Sequence, residues 1–328
     1  MKMDGSMRGR RVAAGNRTSR RELLLGLAGS VVAAAALSDD AIIDTHVELL
    51  ASDKTRFPLH PHAPEAPPRT GLGLYRAFVR RSRLRHAVLV QPEAYQDDHR
   101  FLEHCFANEP APGFFKGVCL LDPLASDAVS NLEKLMAKNP GRIAAVRIIA
   151  SGDPGLPPSA GGPIRNRDFQ QAGMKALWHK AHEAGLAMQL DFDPGFAGKV
   201  YSLAVHFQAV PVILNFFGRP GAGTMTESDE LMHLARLPKS YLQLSGLQYL
   251  ATREPDLDRA KLLLRRAYYT FGPDRILWGG LGRSSSEFQE TASLLESLLE
   301  DIPEADRDKI RALNAMRLYG FTSEAQTS

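Results

Sequence analysis

A histidine and a glutamate separated by one residue, at the end of a short apolar run, form the stretch of this chain most suited to chemistry: Ile42-Ile43-Asp44-Thr45-His46-Val47-Glu48. On an extended strand, residues two apart project to the same side. His46 and Glu48 can therefore reach one bound atom, either as ligands of an ion or as a pair that passes a proton. A polar pair at a strand end also serves as ordinary hydrogen-bonded structure, so the assignment depends on what converges with it. Asp191, at the end of a later apolar run, is the third group expected to join His46 and Glu48 in a catalytic cluster. Its neighbour Asp193, followed by Pro194 and Gly195, reads as a turn leading into a helix. Arg147, Arg219 and Arg283 lie within or after other apolar runs, and guanidinium forks suit planar carboxylates. Each could instead pair with an acid of the chain such as Asp191 or Asp122. With Asn215, these arginines are the expected contacts for a small anionic or hydroxylated substrate. His60-Pro61-His62 repeats the spacing in a proline-rich loop, where a solvated turn is the simpler reading. Ser286 fits a helix cap, and Ser245 close packing.

These residues must be positioned by something regular. Eight short, β-rich, nearly continuous apolar runs recur at 41–45, 86–91, 115–121, 143–149, 186–192, 211–216, 241–245 and 275–279. Runs apolar on both faces are the mark of parallel strands buried on both sides. Between them, apolar residues at three- and four-residue steps predict helices over 72–83, 98–107, 127–138, 169–184, 198–207, 227–235, 257–269 and 286–299, with a last helix over 304–318. Eight strand–helix alternations predict one (β/α)₈ barrel spanning residues 38–322, with 323–328 as a polar tail. An open doubly wound sheet is the runner-up, but no glycine-rich turn follows the first strand to support a nucleotide site. In a barrel, Ala51 to Thr70 and Ser151 to Asn166 are long loops on the carboxyl face, where substrate is held and covered.

The 328-residue chain is 44% hydrophobic and 23% charged, ordinary for a globular protein. Its formal charge of +3 comes from a leader containing Lys2, Arg8, Arg10, Arg11, Arg17, Arg20 and Arg21. Without that leader the chain is not basic, which removes the case for nucleic acid. Ser19-Arg20-Arg21-Glu22-Leu23-Leu24, an alanine-rich apolar run to Leu37 and small residues at 33–36 look like a twin-arginine export signal over residues 1–37. The run is short for a full bilayer span. The expectation is a periplasmic protein, delivered by the twin-arginine translocation machinery and without a membrane anchor after cleavage. That compartment permits disulfides, yet Cys105 and Cys119 read as two buried thiols.

Several stretches in fixed order carry a resemblance: Ile42 to Val47, Pro211 to Pro220, Tyr241 to Leu247, Phe271 to Gly280 and Asn314 to Phe321. The chain resembles the amidohydrolase-related family of TIM-barrel hydrolases, whose members include lactonases and decarboxylases. The resemblance implies a barrel fold and a metal-dependent hydrolytic site. In that family's pattern the first strand ends His-x-His, strand six carries Asp-His before Gly-Arg-Pro, and strand eight ends Gly-Ser-Asp, the aspartate being both ligand and base. Here His46 stands, but Glu48 replaces the second histidine, Asn215 and Phe216 take the Asp-His positions, and Gly279-Gly280-Leu281 ends strand eight. Phenylalanine and leucine neither bind an ion nor accept a proton. His46 with Glu48 supplies only two ligands, short of the three that catalytic zinc uses. The expectation is no cofactor and no tightly held metal, at most a divalent ion held weakly by His46 and Glu48. A lactonase-like hydrolase working without that metal and an inactive homologue that binds a small ligand both remain open.

Overall fold

The computed structural model describes residues 41–63, 70–215, 225–246, 254–282 and 284–322. The leader, the tail after 322, Phe216, Arg219 and Arg283 lie outside the described residues. Eight parallel strands, β1 (Ile42–Val47), β2 (Leu84–Val90), β3 (Phe115–Leu120), β4 (Ile143–Ala150), β5 (Ala187–Phe192), β6 (Val212–Leu214), β7 (Ser240–Ser245) and β8 (Ile276–Gly279), are paired in sequence order. They form a nearly closed (β/α)₈ barrel with β8 lying against β1. An open doubly wound sheet would reverse its strand order at a switch point, and this order does not. Outside the strands run α1 (Leu72–Val79), α2 (Arg100–Ala107), α3 (Ala128–Lys138), α4 (Ala172–Glu183), α5 (Ala197–Ala204), α6 (Met225–His233), α7 (Glu254–Phe271) and α8 (Ser285–Leu299). The main core lies between the helices and the outward faces of the strands, where Leu132, Trp178, Leu203, Leu264 and Leu295 are fully buried.

Some elements differ from their predicted bounds for identifiable reasons. Helix α1 ends at Val79, and the Ser82 hydroxyl donates to the Val79 carbonyl in the turn that follows. The cap of α8 is Ser284, whose hydroxyl accepts from the Glu287 amide, not Ser286. The last predicted helix is interrupted: α9 (Glu304–Asp308) passes through a wide turn over Lys309–Leu313 into α10 (Asn314–Tyr319). The wide turn carries buried Arg311, which is gripped by Glu296, Glu304 and Asp308. Asn314 donates to the carbonyls of Pro273 and Ile276, 2.7 and 2.8 Å away. That tie explains why two sequence stretches so far apart belong together. Cys105 and Cys119 are unjoined buried thiols, and burial pushes the Cys119 thiol up to about 12.

Strand β1 carries the feature that builds the mouth. Its register with β2 slips between Asp44 and Val47, a bulge that inserts one residue. Asp44 and Val47 face outward into a cavity walled by Tyr75, Phe78 and Phe288. Thr45 and His46 both turn inward, as their partners on β6, β7 and β8 show. The seam with β8 is sewn by side chains. The Asp44 Oδ1 atom accepts from the amides of His46 (2.9 Å) and Gly280 (2.8 Å), and the Thr45 hydroxyl donates to the Trp278 carbonyl at 2.6 Å. The Leu281 amide closes the seam on the His46 carbonyl at 3.1 Å. Strands this close leave no room for side chains: a Cβ on Gly279 would stand 2.7 Å from that of His46, and one on Gly280 2.8 Å from Asp44 Oδ2.

Burial raises the Asp44 carboxyl from its ordinary 3.8 to about 7, and the two amide bonds only partly pull it back. Between those two values the folded chain holds a proton that the unfolded chain has lost. The stability owed to Asp44 is therefore complete below the lower value and disappears as pH rises through the upper one. Asp44→Asn cannot titrate. The melting temperature of the wild type relative to Asp44→Asn should fall between about pH 5 and about pH 8, by an amount worth a few kcal/mol at most. A wild type that gains on Asp44→Asn as pH rises would contradict the assignment.

Candidate active site

The carboxyl ends of β1, β4, β5 and β6 bring His46, Glu48, Arg147, Asp191 and Asn215 into one buried network. This is where (β/α)₈ barrels do their chemistry. Arg147 is its hub. Its Nη1 donates to Glu48 Oε1 and to the Gln91 carbonyl, each at 2.9 Å, and its Nη2 donates to Asp191 Oδ2 at 3.0 Å. Its side chain is 3% exposed, and those of Glu48 and Asp191 are 8% and 3% exposed. Burial works against the guanidinium charge, but Glu48 and Asp191 outweigh it and hold Arg147 above the usual arginine range. Of the two readings of Arg147, a contact for substrate or a partner of an acid such as Asp191, the structure shows the second, with Glu48 as a further partner.

His46 is fully buried and held on both sides. Its Nδ1 stands 3.0 Å from Asn215 Oδ1, which also accepts from the Ser245 hydroxyl at 2.9 Å. With Oδ1 as acceptor, Nδ1 carries a hydrogen, leaving Nε2 as the position where a proton enters or leaves. Nε2 faces Glu48 Oε1 at 3.5 Å. The His-x-Glu spacing therefore does bring the two side chains together. The Ser245 side chain belongs to this network and is not mere packing.

Other candidates lie elsewhere. Asp193 Oδ2 accepts from the Gly152 amide at 2.6 Å, tethering the loop after β4. In the 60–62 loop, His60 Nδ1 accepts from the His62 amide, as a solvated turn would have it. Arg167, unremarked in the sequence, pairs with Asp122 through Nε and Nη2 at 2.9 and 2.8 Å and bonds the carbonyls of Gly161 and Gly162. Its signal was a cation in a Gly/Pro-rich loop that needs carbonyls gathered.

Below the mouth a polar chain crosses the barrel interior. Gln243 Nε2 donates to the carbonyl and hydroxyl oxygens of Thr45, both at 2.8 Å, and Gln243 Oε1 accepts from Gln189 Nε2 at 3.4 Å. The Thr45 carbonyl can only accept, so the direction of both amides is set, and Gln189 Oε1 points away from the chain. Among the described residues, Gln189 Oε1 and Arg147 Nε are buried without a protein partner, an acceptor and a donor on residues paired in the β4–β5 register.

A family model described as amidohydrolase matches residues 43–321. The chain belongs to the amidohydrolase family. No curated protein matches it. Among solved structures it is similar to a protein from Pseudomonas putida bearing the name 2-pyrone-4,6-dicarboxylic acid hydrolase. The two share 22% identity with a TM-score of 0.68, covering 87% of this chain and 99% of that one. A protein of the same name from Acinetobacter baumannii, with citric acid bound, shares 16% identity at a TM-score of 0.70, covering 85% and 99%. An amidohydrolase from Burkholderia multivorans with bound zinc shares 19% identity at 0.66, covering 86% and 100%. At these identities the likeness is one of fold.

The described side chains of this amidohydrolase do not suit such a zinc. Arg147 stands at hydrogen-bonding distance from both Glu48 and Asp191, so an ion on those carboxylates would meet a fixed positive charge. Among the described residues, no three of His, Cys, Asp and Glu are grouped to hold a metal. At the end of β8, Leu281 is buried and aliphatic, with its amide donated to His46.

Two outcomes follow from this geometry. Arg147→Met leaves two buried carboxylates without their cation and should lower stability by about 3–5 kcal/mol, read by urea unfolding; a change near zero would show that Arg147 is not their partner. A crystal structure should place one ordered water between Arg147 Nε and Gln189 Oε1, because each buried group left unsatisfied costs about 1–3 kcal/mol. Direct contact of those two atoms without a water would overturn that prediction.

Proposed function

We propose that this amidohydrolase is a lactonase-like hydrolase of a small anionic or hydroxylated substrate, working without a tightly held metal. The observation that carries the reading is His46, fixed through Nδ1 by Asn215 with Nε2 turned toward Glu48 at the mouth. In this scheme Nε2 takes a proton from the water that adds to the lactone carbonyl, and Glu48 stabilises the imidazolium so formed. The acyl–oxygen bond then breaks, and the proton passes from Nε2 to the departing alkoxide. The product is a carboxylic acid, which loses its proton to solvent, together with a hydroxyl. Arg147 holds Glu48 and Asp191 as fixed anions around the reacting centre, and a preorganised charge of this kind needs no rearrangement during reaction. The names of two similar structures, each that of a 2-pyrone-4,6-dicarboxylic acid hydrolase, support a lactone as the bond broken and carboxylates on the substrate. Asn215, Arg219 and Arg283 are its proposed polar contacts. The twin-arginine pattern of the leader supports a periplasmic location for the mature barrel.

A second reading has one observation in its favour. The position the family gives to an aspartate holds buried Leu281, which supports a barrel that binds its ligand without turning it over. A panel of lactones and lactone carboxylates separates the two. The hydrolase reading expects turnover that falls by roughly a hundredfold or more in His46→Gln, the scale of lost acid–base catalysis. Ligand-dependent melting shifts with no turnover on any compound would replace it with the binding protein.

A further inference from the structure

The loop between β4 and α4 bends back over the mouth. Asn166 makes the bend: at a φ of 56° its amide donates to the Ile149 carbonyl at 2.8 Å, and its side chain exchanges two hydrogen bonds with the Ser151 backbone. Ile164, two residues earlier, is thereby carried onto Leu120 of β3 and Ile149 of β4. Leu120 is paired with Arg147 in the sheet, and Ile149 lies two residues beyond Arg147 on the same face of β4. These three residues form an apolar cluster of their own, separate from the main core. They wall the β3–β4 side of the mouth.

What holds Ile164 there is a latch in the loop after β2. The Ile164 amide donates to Gln96 Oε1 at 2.5 Å, and Arg165 donates to Glu93 Oε1 at 2.9 and 2.6 Å. Gln96 is buried, with φ 51° and ψ −121°, a conformation that favours glycine at the second position of a tight turn. A long side chain kept in such a backbone state points to a job for that side chain, because surrounding structure must compensate the strain. Its other end donates to the Glu93 carbonyl. The latch also reaches the ion cluster: Gln91 Nε2 holds the carbonyls of Gln96 and Asp98, while the Gln91 carbonyl accepts from Arg147.

We propose that Ile164 determines which substrates the mouth admits, as an apolar stopper on the β3–β4 rim that Gln96 holds in place. The substrate it favours carries a polar, hydrolysable edge for the His46–Glu48 side and a compact apolar edge for Ile164, Leu120 and Ile149. This rests on the reading of the mouth as the place where substrate binds. Release of the latch, through Gln96 and the partly exposed Arg165–Glu93 pair, opens the rim to larger groups.

The test uses a reporter thiol that needs no turnover. Ile149→Cys in the full chain is treated with methyl methanethiosulfonate, which is small, and with a pyrene maleimide, which is bulky. The unmutated chain, whose two thiols are buried, serves as control. Gln96→Gly suits the backbone and removes the grip, and Ile164→Ala removes the stopper, so each can be compared at unchanged fold by circular dichroism. Both variants should raise the labelling rate of the introduced thiol roughly tenfold or more, most for the bulky reagent, as expected when a local closure is lost. Equal rates in all three backgrounds, whether fast or slow, would overturn the proposal. Failure to find a hydrolysed lactone would leave these rates unaffected, so the two ideas fail separately.

Discussion

A guanidinium set between two carboxylates inside a protein is bound to its place by charge. Taking each ion out of water costs several kcal/mol, and only close geometry with further hydrogen bonds offsets it. Arg147 meets that demand with donors to Glu48, Asp191 and the Gln91 carbonyl, each near 3 Å. Once that arrangement exists, much else follows. The carboxylates that could have served a metal serve a cation of the chain. His46 stands beside Glu48 with its Nε2 turned toward that carboxylate. The loop after β2 is fixed from below through Gln91.

The barrel supplies the frame. A bulge in β1 turns Thr45 and His46 inward together while Asp44 stays outside to close the seam. Without the inserted residue, the inward face would hold Thr45 but not His46, because side chains alternate along a regular strand. Position and closure thus come from the same local irregularity. The glycines ending β8 are required by that closeness, which gives a structural reason for Gly279 and Gly280 where the family pattern has Gly-Ser.

The fold was legible because doubly buried strands leave long-range evidence in the sequence: eight apolar runs, each followed by a helical pattern. The convergence of His46, Glu48, Asp191, Arg147 and Asn215 was legible too, since each ends or lies near the end of a strand. Asp191 was named as an acid that Arg147 could pair with, and it does; Glu48 was not, because that pairing depends on distances across the barrel that no local pattern encodes. Gln91, Gln96, Gln189 and Gln243 escaped notice for a related reason. An amide carries no charge and no motif, and only the geometry shows that Gln96, Gln189 and Gln243 bridge elements far apart in sequence while the Gln91 amide gathers the loop that follows it. Ile164 was hidden in a loop whose composition predicts length and turns but not where it folds back.

The most direct measurement of the central claim is the metal content of the purified protein after dialysis against metal-free buffer. If Arg147 takes the place that an ion would need, zinc and manganese should both be well below one per chain, with no gain in stability when either is added back. One tightly retained ion per chain, with a matching rise in melting temperature on restoring it, would contradict the account.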